Sequence, residues 1–213
     1  MKKMSTPATD LICFSHLRWG FVFQRPNHLM VRFARRQRTF FVEEPRFEEG
    51  LTAPRIDVVR EPDGPFVCVP CLPAGTPAAA IEGILRQLLR GLVRERAIRP
   101  QVLWFYTPMA LPLADELLRA PTAPLVVYDC MDELSAFAGA PPSLRALEEE
   151  LLRRADVVLT GGQSLYEAKQ HRHRSVHAFP SSVDVAHFAR ARGALKEPAD
   201  QAEIPRPRLG FFG

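Results

Sequence analysis

The sequence predicts a doubly wound, mostly parallel α/β sheet with helices on both faces. Three observations predict it. Short continuous apolar runs, of the kind that form strands buried on both faces, recur along the chain. Helical patterns alternate with them, as crossover connections between parallel strands require. The first strand–helix–strand alternation is already complete within residues 10–44.

Residues 10–15 (Asp-Leu-Ile-Cys-Phe-Ser) form the first run. Pro26 suits the first turn of a helix, and Leu29, Met30, Phe33 and Ala34 then make an apolar stripe. Arg32, Arg35, Arg36 and Arg38 gather at its C-terminal end, where the helix dipole favours cations. Residues 39–44 read as the second strand, closed by Pro45. Two short strands, 56–60 and 66–70, flank a turn at Glu61-Pro62-Asp63-Gly64-Pro65.

The strongest helical pattern spans 79–98, with Ile81, Ile84, Leu85, Leu88, Leu92 and Val93 on one side. Arg86, Arg90 and Arg94 repeat every four residues on another side. A crossover helix with a solvated outer face is the favoured reading. Peripheral contact with an anionic membrane surface is the second. Strand 101–106 follows, then Pro108 and a helix over 113–118. Strand 124–129 runs into Asp129-Cys130-Met131-Asp132-Glu133.

Leu144, Leu147 and Leu151 mark a helix over 143–155, with Glu149–Arg153 and Glu150–Arg154 as i,i+4 pairs. Strand 156–160 reaches Gly161-Gly162, and Ser164 with Glu167 fits a capping box for a helix to about 171. Residues 176–180 form the last strand of the set. Residues 1–191 are thus expected to be one Rossmann-like domain, with 192–207 a linker. Residues 208–213, with the apolar run 209–213, are expected to be the truncated start of a second domain.

The totals fit a globular protein: 213 residues, 46% hydrophobic, 24% charged, formal net charge +4. That modest excess gives no reason to expect a nucleic-acid partner. The N-terminal residues are polar and lack the apolar core of a signal peptide. No run approaches the ~20 apolar residues of a membrane span. Cytoplasmic location follows as the expectation, with an option of peripheral contact at the inner membrane face. Cys68 and Cys71 form a lone CxxC without nearby His, so no metal site is expected and the four cysteines read as reduced and structural.

The first strand-to-helix turn has Gly20 as its sole glycine, so G-x-G-x-x-G is missing and no dinucleotide cofactor is expected. Gly161-Gly162 before a helix could cradle an anion, though a tight turn explains it equally. What collects at the carboxyl ends of strands, where open α/β sheets bind ligands, is chemically varied. His16, Arg18, Trp19 and Arg25 follow the first strand. Tyr106 and Thr107 end a middle strand, and Asp129, Asp132 and Glu133 end the next. This set suits a polyhydroxylated ligand. A structural ion pair between Asp129 and Arg18 or Arg25 is the alternative, as weighty as function for each residue alone.

Three stretches carry a resemblance. They are Arg154-Ala-Asp-Val-Val-Leu-Thr160, then Ser164-Leu165, then Ala178-Phe-Pro-Ser-Ser-Val-Asp-Val-Ala-His-Phe188. Together they resemble the end of the N-terminal domain of GT-B glycosyltransferases. Phe14-Ser-His-Leu-Arg-Trp19, Phe23-Gln-Arg-Pro26 and Tyr128-Asp-Cys-Met-Asp-Glu133 resemble a bacterial subgroup of those enzymes. Ser181-Ser182 departs from the usual Asn-Gly before Val183-Asp184.

The resemblance implies a retaining transfer from a nucleotide-sugar donor to a cell-envelope or polysaccharide acceptor, glycan or lipid-linked. It implies no metal and places donor binding beyond Gly213, so that this chain alone would be inactive. Residues 15–25 would line the cleft, which puts Ser15, His16, Arg18, Trp19 and Arg25 at substrate. Tyr106, Asp129, Asp132, Glu133 and Ser164 would join them, with His16, Asp129 and Asp132 as catalytic candidates. A non-catalytic binding module, or an epimerase- or mutase-type enzyme, is the alternative.

Overall fold

The computed structural model describes residues 9–210. The strands are β1 (Asp10–Ser15), β2 (Arg38–Glu43), β3 (Arg46–Glu48), β4 (Arg55–Arg60), β5 (Phe66–Pro73), β6 (Pro100–Phe105), β7 (Leu125–Cys130), β8 (Val157–Thr160) and β9 (Val176–Ala178). The helices are α1 (Arg25–Ala34), α2 (Ala78–Glu95), α3 (Asp115–Leu118), α4 (Leu144–Arg154), α5 (Gln163–Lys169) and α6 (Val185–Ala189). Among the described residues the strands form one nine-stranded sheet in the order β3-β5-β2-β1-β6-β7-β8-β9, with β4 added to β5. Every pairing is parallel except β4 with β5. The doubly wound, Rossmann-like sheet expected from the alternation is present.

The two-residue period of the strands divides the core. Ile12, Phe14, Phe40, Phe105, Val126 and Tyr128 pack on one face with Leu89 and Leu92 of α2 and Leu151 of α4. Leu11, Cys13, Phe41, Trp104, Tyr106 and Val127 pack on the other with Met30 of α1. A one-residue slip would exchange the two sets, so the pattern fixes the register. All four cysteines are buried and free.

Four elements depart from the sequence reading. β3 was not anticipated; it is three residues long and exposed or half-buried, and it pairs with β5 across the chain. Residues 113–118 are not one helix. Pro108 and Pro112 hold Pro108–Ala114 as a 3-10 segment, and only α3 continues as α-helix. The helix expected to reach 98 stops at Glu95, where Ala97 takes a left-handed φ of 47°. Ser164 is not the cap: α5 starts from Gly162 in extended conformation, two positions early.

The chain divides into two compact units at Ser181/Ser182. In the second, α6 is capped by Asp184, whose side chain accepts from the His187 N–H at 3.0 Å. Of residues 208–213, Arg208, Leu209 and Gly210 are outside any strand, and residues 211–213 lie outside the described residues, as do residues 1–8. Among the described residues no helix is long and apolar enough to cross a membrane.

Candidate functional site

The carboxyl edge of the sheet presents two different sides. On the α1 side the β1–α1 loop is tied down by its own polar groups. Ser15 Oγ accepts from the Leu17 N–H at 3.0 Å. Arg18 donates to Glu43 at 3.0 Å and to the carbonyls of Glu44 and Pro45. Glu43 also accepts from the Trp19 N–H at 2.8 Å, while the Trp19 ring stands edge-on to Phe41. Asn27 closes the loop: its amide donates to the Trp19 carbonyl at 2.9 Å, and its oxygen accepts from the Gln24 N–H at 3.0 Å.

Below that loop, Arg25 grips Asp129 with two hydrogen bonds, Nε to Oδ2 at 3.1 Å and Nη2 to Oδ1 at 2.7 Å. Its third nitrogen donates to the Phe179 carbonyl, and the guanidinium lies 4.9 Å from the Phe179 ring centre. Asp129 is fully buried. Burial pushes its pKa up, and Arg25 pulls in the opposite direction. Tyr106 sits beside it with a buried hydroxyl, its pKa raised chiefly by burial. The ion-pair alternative weighed for Asp129 is therefore the arrangement found, with Arg25 as partner and Arg18 committed to Glu43.

Glu133 and Ser164 lie further along the edge. Glu133 pairs with Lys169 at 2.8 Å, and the buried Lys169 also meets both oxygens of Glu148, at 2.8 and 2.9 Å. Tyr128 donates to Glu148 at 2.9 Å and Arg172 reaches it at 3.3 Å. Ser164 is exposed on the first turn of α5. Gly161 lies against Met131 so closely that a Cβ there would stand 2.6 Å from the Met131 carbonyl oxygen. Packing accounts for this glycine without an anion.

On the α2 side the same edge is open. A cleft of about 850 Å³ runs from the ends of β1 and β2 outward between α2, the 3-10 segment Pro108–Ala114 and residues 134–147. Ser15, His16, Glu43, Glu44 and Thr107 stand at the sheet end, and most of the remaining wall is apolar. Thr107 is buried and its hydroxyl accepts from the Met109 N–H at 3.3 Å. His16 Nδ1 is buried and, among the described residues, has no hydrogen-bond partner. Burial lowers the His16 pKa, against the opposing pull of Asp132 and the Tyr106 backbone, so the ring is neutral near pH 7. A neutral imidazole can accept or donate one proton to a hydroxyl placed in the cleft.

The structure thus brings Ser15 and His16 to the cleft, with Asp132 near His16. It gathers Arg25, Tyr106 and Asp129 on the opposite face, with Arg18 and Trp19 in the loop on that same side, and it places Glu133 and Ser164 apart from both groups. Sequence reasoning missed Glu43, Glu44, Asn27 and Lys169. A carboxylate closing a buried strand was the available signal for Glu43; for Lys169 there was none. Glu48, Asp57 and Cys71 bring donor atoms within 4.8 Å of one another, but Arg55 pairs with both carboxylates, at 3.0 and 2.9 Å. That guanidinium and the Cys71 thiol, pushed up to about 12 chiefly by burial, make the group a poor cation site.

No family model and no curated protein matches the sequence. Solved structures do. An E. coli trehalose-6-phosphate structure bound with UDP-2-fluoro glucose aligns with 92% of this chain and 54% of its own, at TM-score 0.56 and 12% identity. Sucrose-phosphate synthase from Thermosynechococcus elongatus aligns with 86% of this chain and 52% of its own, at TM-score 0.53 and 12% identity. This chain spans about half the length of each. The likeness is one of fold alone: the mostly parallel α/β sheet is consistent with one half of a GT-B fold.

Proposed function

We propose that this chain is the N-terminal, acceptor-side domain of a glycosyltransferase that moves a sugar from a nucleotide-sugar donor to a cell-envelope or polysaccharide acceptor. The observation that carries the reading is the fold match, over 92% of this chain, to a structure that holds a UDP-sugar. The cleft at the carboxyl edge supports it, because it offers a neutral imidazole and a buried threonine where an acceptor hydroxyl could sit. In this reading His16 holds or relays the acceptor proton and Asp132 orients the imidazole. Arg25 and Asp129 position the loop instead of touching substrate. Donor binding falls to a second domain, and retention of configuration rests on the resemblance alone. A cytoplasmic site of action belongs to the same proposal.

The test uses the full gene product with a panel of nucleotide sugars. Release of nucleoside diphosphate from at least one donor is expected; a preparation that consumes none refutes the reading. The non-catalytic alternative, an anionic partner held by the α2 arginines, has less free charge than the sequence suggested. Arg86 pairs with Glu82 at 2.7 Å, and Arg90 pairs with Glu116.

A further inference from the structure

We infer that the cleft takes an uncharged amphiphile, with a hydroxyl-bearing head at His16 and Thr107 and an extended apolar body lying between α2 and residues 134–147. The inference deepens the acceptor reading above and rests on it for its biological meaning. It has three supports.

The first is the wall. Ile81, Leu85, Leu113, Leu134, Phe137 and Leu147 line the outer length of the cleft. An oligosaccharide would need hydrogen-bond partners along that length, because each hydroxyl left unpaired against an apolar wall loses its water without compensation. An alkyl or isoprenoid chain needs none and gains from every methylene removed from water. The cleft, at about 850 Å³, is of the size that encloses a small molecule instead of a single side chain.

The second is the sign of charge. Arginine is abundant in this sequence, yet among the described residues neither Arg nor Lys lines the cleft, whereas Glu43, Glu44 and Glu82 do. Burial raises the Glu44 pKa against the pull of Arg18, as expected for a carboxylate in a partly apolar setting. A phosphate or carboxylate head would meet these acidic groups, while the arginines that pair with them, Arg18 on Glu43 and Arg86 on Glu82, stand outside the cleft wall. Phospholipids, lipid phosphates and the diphosphate of a donor are all disfavoured here.

The third is the polar end of the cleft. The half-buried His16 ring and the buried Thr107 stand together where the cleft meets the sheet, the main hydroxyl- or imidazole-bearing side chains beside a mostly apolar wall. Nδ1 itself is enclosed, so a head-group hydroxyl would meet the rest of the ring and Thr107.

The test is binding of n-alkyl β-glucosides from methyl to octyl, each below its micelle-forming concentration, by titration calorimetry. Affinity is expected to rise about two- to fourfold per added methylene. Octyl phosphate is expected to bind at least tenfold more weakly than octyl glucoside. Phe137→Asp changes a residue that is 57% exposed, so folding should survive. It should weaken octyl glucoside at least fivefold and leave methyl glucoside unchanged.

Affinity independent of chain length, or a preference for short oligosaccharides, overturns the apolar body and leaves the transferase reading intact. Octyl phosphate binding as well as the glucoside overturns the uncharged head. Chain-length dependence that survives Phe137→Asp places the lipid elsewhere and overturns the assignment to this cleft. Conversion of a dimer to a monomer by the same substitution would make the cleft a surface between copies, which also overturns it. Chain-length-dependent binding without release of nucleoside diphosphate from any donor would confirm the cleft and sink only the transferase reading.

Discussion

The α1 and α2 sides of the sheet's carboxyl edge differ in how their polar groups are satisfied. On the α1 side Arg18 pairs with Glu43, Arg25 with Asp129, and Asn27 ties the loop, while the buried Tyr106 hydroxyl and Trp104 indole N–H have no hydrogen-bond partner among the described residues. On the α2 side polar groups are few, the wall is apolar, and one imidazole nitrogen is unmatched. Charged residues at strand ends look functional in a sequence. Here the richest cluster of them builds the loop, and the sparse side keeps the room that a ligand requires.

Breaking the closed side should have the largest effect. Arg25→Met leaves the fully buried Asp129 without its cation, and is expected to lower unfolding free energy by about 3–5 kcal/mol. Urea denaturation measures it. The sign with pH is fixed by the raised Asp129 pKa: the folded state binds that proton more readily than the unfolded chain, so stability falls as pH rises. The variant should therefore recover part of its loss between pH 7 and pH 5. A loss below about 1 kcal/mol, or one indifferent to pH, would mean that the pair does not close this side.

Lys169→Met should cost less, about 2–4 kcal/mol, because Arg172 and Tyr128 still reach the buried Glu148. The same denaturation series reads it, and alkyl glucoside binding should not move. Arg18→Ala comes next. Its side chain is about one-third exposed and Glu43 keeps the Trp19 N–H, so about 1 kcal/mol or less is expected. A loss equal to that of Arg25→Met would show that the α1 side is one cooperative network instead of two separate pairs.

The smallest effect sharpens the open side. The His16 imidazole should titrate by NMR below the 6.5 of an unburied histidine, and Asp132→Asn should lower it further by removing the opposing charge. A depressed histidine pKa disfavours the proton in the folded state, so this group withdraws stability only as pH falls below 6.5. A midpoint at or above 6.5 would place His16 in water and remove the unmatched nitrogen from the account.

Much of this was legible in the chain. β1 was read at its observed limits, and the alternation of strands and helices gave the sheet, because both signals are local periodicities. β3 escaped because Arg46–Glu48 has no apolar pattern; its pairing with β5 is purely tertiary. Ser164 misled because the S-x-x-E spacing was sound, while the close approach of Gly161 to Met131 set the turn two residues earlier. The polar groups at the strand ends were legible from their positions after the apolar runs. Which of them pair with each other depends on contacts as distant as Arg25 with Asp129, and spacing along the chain cannot show that. The cleft was invisible for the same reason: its walls come from α2, the 3-10 segment and residues 134–147, none of them marked as a site by its own residues.

The most direct test of the central claim is nucleoside diphosphate release by the full gene product, followed over a donor panel with octyl glucoside as acceptor. The expected result is release from at least one donor that increases with the acceptor present and falls at least tenfold in His16→Ala. Failure to release from any donor, with the protein folded by circular dichroism, would contradict it.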